Sequence, residues 1–416
     1  SSDTSAPGGI TIPDLSDPNT KVYATSNFVI LVDNSSSPRQ LVVVTSSGKV
    51  IKDSISSSAS SDIFNVNTSC EAVTKTEGSS STTYKLNVDG TSFSTTIPNS
   101  IDTISGPGVD KFLVRVGNDI YLSSSKCSTV GAVLIATVSS TAVDAKIVKV
   151  GNDYYIAVRD GTSLRYYKVS GNTVVNLTSS SPTPISLPSS ANKYYYALDG
   201  RGRLYVIARV GSTSTLKVYN VDGTELELAP GSLSTSTPVS FTGLLGLADR
   251  ALAKASISSS DKVYEIIIFT DFGRFAANDR GTALYTAVHK CTDSGTKEID
   301  GAGTNFVRCA HNDGLYSLTY DSGSGLYFTA NDPTISGTTI VDAKWATNKA
   351  LVKLSSGSIR LCTTTTAPSI SCSDTDLPSF DTAAIGPAAS KYLKSNGDNV
   401  FYTTSGGTLK VGNIFD

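Results

Sequence analysis

The sequence predicts an all-β chain assembled from small four-stranded antiparallel units, and three observations carry that expectation. Short apolar and aromatic runs alternate with Gly, Asn and Asp turns along most of the 416 residues. One stretch of four such runs is followed by a second with the same order and similar lengths. Ser and Thr exceed a quarter of the chain, yet regular Val, Ile, Leu, Tyr and Phe clusters break up the polar stretches, which argues against disorder.

The clearest unit runs from Ala145 to Leu177. Ala145–Val150 reads as a strand, Gly151-Asn152-Asp153 as a turn and Tyr154–Arg159 as the returning strand. Asp160-Gly161 turns into Leu164–Ser170, and Gly171-Asn172 leads to Thr173–Leu177. Tight hairpins need positive φ at their central residues, which Gly, Asn and Asp tolerate. The copy comprises Lys193–Leu198, Arg203–Val210, Thr215–Asn220 and Thr224–Leu228. Weaker copies are expected upstream over 22–52, 63–97 and 111–138, and downstream over 247–299, 306–330, 340–372 and 385–414. One segment, Thr242–Lys254, has helix-compatible apolar spacing and reads as a short helical insertion or as another strand and turn.

A turn followed by an apolar residue and an aromatic recurs at Gly117-Asn118-Asp119-Ile120-Tyr121, Gly151-Asn152-Asp153-Tyr154-Tyr155, Gly202-Arg203-Leu204-Tyr205, Asp313-Gly314-Leu315-Tyr316 and Asp398-Asn399-Val400-Phe401. In these features the chain resembles β-propeller proteins over residues 20–414, with no specific propeller family matched. No Trp-Asp pair recurs, and Trp345 is the only tryptophan. The resemblance implies a single large β-propeller of about eight four-stranded blades (range seven to nine), preceded by an extension over 1–20. Radial stacking would bury each blade against two neighbours and leave only short edges. A long β-solenoid is the competing architecture. A propeller is a scaffold, and the resemblance brings no activity with it.

Charge and hydropathy exclude several roles. The net charge is -2 and Lys and Arg are scattered singly, so phosphate neutralisation along a nucleic acid is not expected. The most apolar runs, Ile266–Phe269 and Leu244–Leu247, are far shorter than the roughly 20 residues of a membrane-spanning helix. The chain has no Met, even at position 1, so Ser1 reads as a processed end left after a leader is removed. Six evenly numbered cysteines fit an exported, disulfide-bonded protein. Nearest neighbours would pair: Cys70 with Cys127, Cys291 with Cys309, Cys362 with Cys372. Asn34, Asn67 and Asn176 match the N-glycosylation pattern.

No motif for nucleophilic, phosphate or dinucleotide chemistry appears, so neither an enzyme nor a cofactor is expected. His311 reads as a turn residue and His289 as a strand residue. Asp374 with Asp376, and Glu225 with Glu227, are the carboxylate pairs that glycoside chemistry would need; they read as a solvated loop and a polar strand face. Tyr194-Tyr195-Tyr196, Tyr154-Tyr155 and Tyr166-Tyr167 should each send one ring into the core and its neighbour outward, where it can stack on a sugar. In the extension, Ile10 and Ile12 share a strand face and Leu15 follows, a segment fit to add to the edge of a neighbouring blade. Packing on its own propeller, where it completes the last blade, is the alternative.

These readings converge on a non-enzymatic extracellular structural or adhesive propeller that assembles head-to-tail through its N-terminal segment. The expected partners are further copies or other surface proteins. A secreted carbohydrate-binding or carbohydrate-active propeller and an envelope scaffold are the alternatives.

Overall fold

Gly151, Gly161 and Gly171 each open a two-residue connection with φ near +60° (62°, 62° and 57°), a conformation that side-chain-bearing residues rarely adopt. Because of them Val143–Val150, Asp153–Asp160, Ser163–Ser170 and Thr173–Asn176 form one up-and-down sheet, with Val150 opposite Asp153, Asp160 opposite Ser163 and Ser170 opposite Thr173. The sequence places these strands to within two residues. The computed structural model describes residues 4–5, 20–373, 394–396, 399–403 and 409–413; within 20–373 it leaves out 25–26, 36, 46–48, 68–69, 90–91, 102, 106–107, 179–184, 187–192, 234–238, 258–259, 333–338, 346, 356–358 and 366–368. Among these residues nine small sheets follow one another. The fold is all-β and of the propeller type.

Two compact units share the chain. One comprises Pro98–Asn348 with Thr363–Cys372, the other Ser1–Ile97, Lys349–Cys362 and Ser373–Asp416. In the first unit the sheet of Asp153–Asp160 is covered on both faces. Tyr154, Ile156, Val158 and Tyr167 pack toward Leu113, Ile120 and Leu122 of the preceding sheet. Tyr155, Ala157, Leu164 and Tyr166 pack toward Tyr196, Leu198 and Leu204 of the next. The tyrosine expectation is corrected here: both rings of Tyr154-Tyr155 and of Tyr166-Tyr167 are buried, because alternation sends them to two cores rather than to core and solvent.

The next sheet contains Lys193–Leu198, Leu204–Val210 and Thr213–Tyr219. Its expected fourth strand pairs only briefly with Thr213–Tyr219, with Tyr219 opposite Glu225 and Leu226 N–H donating to Val218 O at 2.8 Å, before Glu227–Leu228 pairs in parallel with Arg274–Asp279 of the following sheet. Of the two readings of Thr242–Lys254, the strand and turn holds and the helical insertion does not. The segment supplies most of the strands Ser240–Gly246 and Arg250–Ile257. Phe241 and Leu244 face one core while Leu245 and Leu247 face another, so burial on both sides mimicked helical spacing. The one α-helix among the described residues is Tyr285–Thr292, and its buried residues with Leu284 stand at 284, 287, 288 and 291, a helical period that sequence reading missed. His289 therefore lies on a helix and not on a strand. Thr296–Asp300, Phe306–His311, Gly314–Asp321 and Leu326–Asp332 form the next sheet. Close turns lock neighbouring sheets together. Gly200 N–H donates to Leu247 O at 2.9 Å and Gly303 N–H to Gly246 O at 3.0 Å. A Cβ on Gly246 would lie 2.1 Å from Leu198 O.

In the second unit Thr20–Ala24, Phe28–Asp33, Arg39–Thr45 and Val50–Ile55 form one sheet, and Phe64–Asn67, Ala72–Glu77, Ser80–Leu86 and Ser92–Ser94 another. Phe28, Ile30, Leu41, Val43, Phe64 and Val73 join them in one core. The last sheet contains Lys394–Asn396, Asn399–Thr403 and Leu409–Asn413. Its free edge is taken by the chain's own start: Thr4–Ser5 lie antiparallel to it, with Thr4 opposite Val411 and Ser5 opposite Lys410.

All six cysteines are in disulfides. Cys291 pairs with Cys309, as their neighbourhood in sequence suggests. All three glycosylation candidates make side-chain hydrogen bonds. Asn34 donates to Phe64 O at 3.2 Å and accepts from Phe64 N–H at 3.1 Å, and Asn176 accepts from Thr178 N–H at 2.9 Å. Asn67 is exposed and accepts from Cys70 N–H at 3.1 Å.

Candidate functional site

Strands of four consecutive sheets, Val143–Val150, Lys193–Leu198, Ser240–Gly246 and Thr296–Asp300, line a cavity of about 950 Å³ in the larger unit. Alternate side chains of these strands enter the adjoining cores, and the lining mixes polar and aromatic residues with Val148, Leu198, Leu244 and Leu245. Tyr194, Tyr195 and Tyr196 all reach it, together with Asp144, Lys146 and Asp293.

One stretch of wall is a self-contained charge cluster. Asp144 accepts from Arg159 Nε at 2.8 Å, from Arg159 Nη2 at 3.2 Å and from the Tyr196 hydroxyl at 2.5 Å. Lys146 donates to the Tyr196 carbonyl and sits 4.5 Å from the centre of the Tyr196 ring. Burial lowers the Lys146 ammonium to about 8, with Asp144 opposing the shift. Arg159 lies 5.4 Å above Tyr194 and covers one face of that ring.

Behind Asp293, a second polar cluster gathers the only two histidines of the chain. Lys254, buried, approaches His289 Nδ1 at 2.8 Å. Asp293 Oδ2 accepts from His311 Nε2 at 2.8 Å and stands 3.9 Å from His289 Nε2. Asp313 lies against His311 Nδ1 at 2.9 Å and accepts from Lys290 Nζ at 2.5 Å and from the Tyr316 hydroxyl at 3.0 Å. Tyr285 stacks on the His289 ring, 5.5 Å between centres and 10° between planes.

Backbone irregularities make room for this network. A bulge between Phe241 and Gly243 lets the Lys254 side chain pass, and a Cβ on Gly243 would fall 2.5 Å from Lys254 Cε. A second bulge lies between Thr296 and Glu298, and a Cβ on Gly295 would fall 2.6 Å from His311 Nε2. The Cys291–Cys309 disulfide, 5.4 Å between Cα atoms, fastens the helix that bears His289 to the strand that bears His311. His311, expected in a turn, ends the strand Phe306–His311 and is buried.

The bond from His311 holds the Asp293 carboxyl down at about 2. Burial first, and then the Lys254 charge, push His289 below its ordinary 6.5. The fold thus favours neutral His289, while the unfolded chain takes up a proton near 6.5. Stability from this group is complete above that pH and is lost as the pH falls toward the depressed folded value. Melting temperature is expected to decline between pH 7 and 5, and His289→Gln to flatten the decline in thermal scans. An unchanged slope would show that the ring titrates freely.

Solved structures resemble the chain only at a distance. No protein-family model matches it, and no curated protein matches it. A protein from Lactobacillus plantarum is 14% identical with a TM-score of 0.39, over 73% of this chain and 95% of that one. Virginiamycin B lyase from Staphylococcus aureus is 10% identical with a TM-score of 0.28, over 74% of this chain and 96% of the lyase. PorZ, a surface component of the type-IX secretion system of Porphyromonas gingivalis, is 11% identical with a TM-score of 0.32, over 95% of this chain and 57% of PorZ. Likeness at this level carries no argument about activity.

Of the side chains singled out from sequence, Glu225 and Glu227 are exposed and lie outside the cavity lining. Ile10, Ile12, Leu15, Asp374 and Asp376 lie outside the described residues. Among the described residues no group of three or more His, Cys, Asp or Glu is arranged to hold a metal ion, and no helix is long and apolar enough to cross a membrane.

Proposed function

We propose that the chain is an extracellular, non-enzymatic structural protein whose N-terminal segment is an exchangeable closing strand, linking copies head-to-tail into a filament. The pairing of Thr4–Ser5 with Lys410 and Val411 carries this reading. A strand edge offers a row of unpaired N–H and C=O groups, and any extended segment of suitable chemistry satisfies them. Two residues of ladder supply few hydrogen bonds, each worth about 0.5–1.5 kcal/mol net, so the contact within one molecule is weak enough to exchange. Residues 6 to 19 separate the closing strand from Thr20 and can reach about 50 Å when extended. Ile10, Ile12 and Leu15 in that tether offer apolar side chains to a neighbour. A contact of this kind is heterologous, so repetition produces a fibre unless a ring closes. Six disulfide-bonded cysteines support an oxidising destination outside the cytoplasm.

Register partners make the test direct. A Thr4→Cys/Val411→Cys variant, oxidised at high protein concentration, is expected to give a ladder of covalent oligomers on a non-reducing gel. Cross-linked monomer alone, with removal of residues 1–18 leaving the light-scattering mass unchanged, would overturn the proposal.

A further inference from the structure

Lys146 is a cation on the cavity wall with no anion of its own. It lines the cavity and is half-buried there. Its ammonium donates to the Tyr196 carbonyl and lies 4.5 Å from the centre of the Tyr196 ring, and among the described residues no carboxylate stands within ion-pair distance of it. Asp144, two residues away on the same strand face, is taken by Arg159 and by the Tyr196 hydroxyl. By contrast Arg203, Arg250 and Arg308 each hold a carboxylate, at 2.7, 3.1 and 2.6 Å.

An ammonium in this position gives up most of its hydration, and one carbonyl oxygen and a ring face compensate only part of that loss. The neutral amine is therefore far easier to reach than in water, which is the physical content of the fall to about 8. A neutral amine has a free lone pair, and lysines desolvated in this way are the ones that add to carbonyl groups. The cavity of about 950 Å³ falls within the ~300–1,000 Å³ of small-molecule sites. Val148, Leu198, Leu244 and Leu245 give its lining apolar surface, which favours an uncharged electrophile.

We infer that Lys146 is a nucleophilic lysine that captures small uncharged aldehydes in this cavity as a reversible imine. The Nζ lone pair bonds to the carbonyl carbon, and the C=O pair moves to oxygen, which takes up a proton as Nζ loses one. The resulting hemiaminal expels that oxygen as water, with the second amine proton, and a C=N bond remains. Nothing is oxidised or reduced, and hydrolysis by the same steps returns the aldehyde. The site belongs to the larger unit alone, so it goes beyond strand exchange and does not depend on it.

The test incubates the full-length protein at pH 7.5 with propionaldehyde or glycolaldehyde and sodium cyanoborohydride, which reduces the imine to a stable amine, and maps the adducts by peptide mass spectrometry. An amine of ordinary lysine basicity is neutral about once in a thousand at this pH, and one at about 8 about once in four. The weaker base is also the weaker nucleophile, which takes back part of the advantage. Lys146 is expected to be labelled about ten-fold or more faster than Lys297, an exposed lysine of the same cavity lining. Its rate should reach half of its plateau near pH 8, and its lead over Lys297 should vanish in protein unfolded by guanidinium. Lys146→Arg should remove that adduct and leave Lys297 labelled as before, with circular dichroism to check the fold. Labelling of Lys146 no faster than that of Lys297 in the folded protein would overturn the inference. So would a lead that persists after unfolding, since the cavity would then play no part in it.

Discussion

Glu265→Ala is expected to cost about 3–5 kcal/mol, the penalty for breaking a buried ion pair from one side. Glu265 is fully buried on the strand Ser260–Phe269. Its Oε1 accepts from Arg280 Nη2 at 2.7 Å, and its Oε2 accepts from Arg250 Nη1 at 3.1 Å and from the Tyr327 hydroxyl. Arg250 is also stacked 4.2 Å from the centre of the Tyr320 ring, so its guanidinium cannot swing into water without losing that contact. Removing the carboxylate strands this cation and the Tyr327 hydroxyl at the junction of two sheets. Asp249, 3.0 Å from Arg250 Nε, is the remaining anion and limits the loss. Glu265→Gln keeps the shape and should fall between wild type and Ala. Adding Arg250→Met to Glu265→Ala should recover part of the stability, because the stranded charge leaves with its partner. Urea midpoints at constant slope measure all three. A loss below 1 kcal/mol would mean that the network is solvated.

Cys291→Ala/Cys309→Ala is the second large effect. The bridge closes a separation of 18 residues, for which the chain-entropy account gives about 3 kcal/mol. The loss should have a local signature as well. With the helix no longer fastened to the strand of His311, the contacts of Asp293 loosen and His289 returns toward its ordinary 6.5. Proton NMR of the His289 ring, titrated from pH 8 to 5, should show an upward shift of its midpoint relative to the parent protein. Lower stability with an unmoved midpoint would mean that the bridge supports the fold but not the network.

Much of the fold was legible because it rests on local turn chemistry. Gly-Asn and Asp-Gly connections favour hairpins, and Val143–Asn176 follows them closely. Burial on two sides was less legible. A strand covered on both faces loses the apolar–polar alternation, so Tyr154-Tyr155 read as half-exposed and Leu244-Leu245 fitted a helix as well as a strand. The fourth strand at Thr224–Leu228 was half legible: Glu225 and Leu226 meet the expected neighbour, but Glu227–Leu228 pair with Arg274–Asp279, almost fifty residues on, and nothing local announces that pairing. The histidine network had a trace in the sequence. His289 stands two residues before Cys291 and His311 two residues after Cys309, so the expected bridge already brings the two rings toward each other. The two bulges and the paired glycines that complete the site depend on long-range register and left no such trace.

Residues 154, 156 and 158 hold the sheet before them, while 155 and 157 hold the sheet after. Parity along that strand is therefore an address. Trimming an even position opens a void on one side and trimming its odd neighbour opens it on the other, although the two α-carbons are only about 3.8 Å apart. Adjacent substitutions in such a strand should combine additively more often than their closeness suggests, because they damage separate joints.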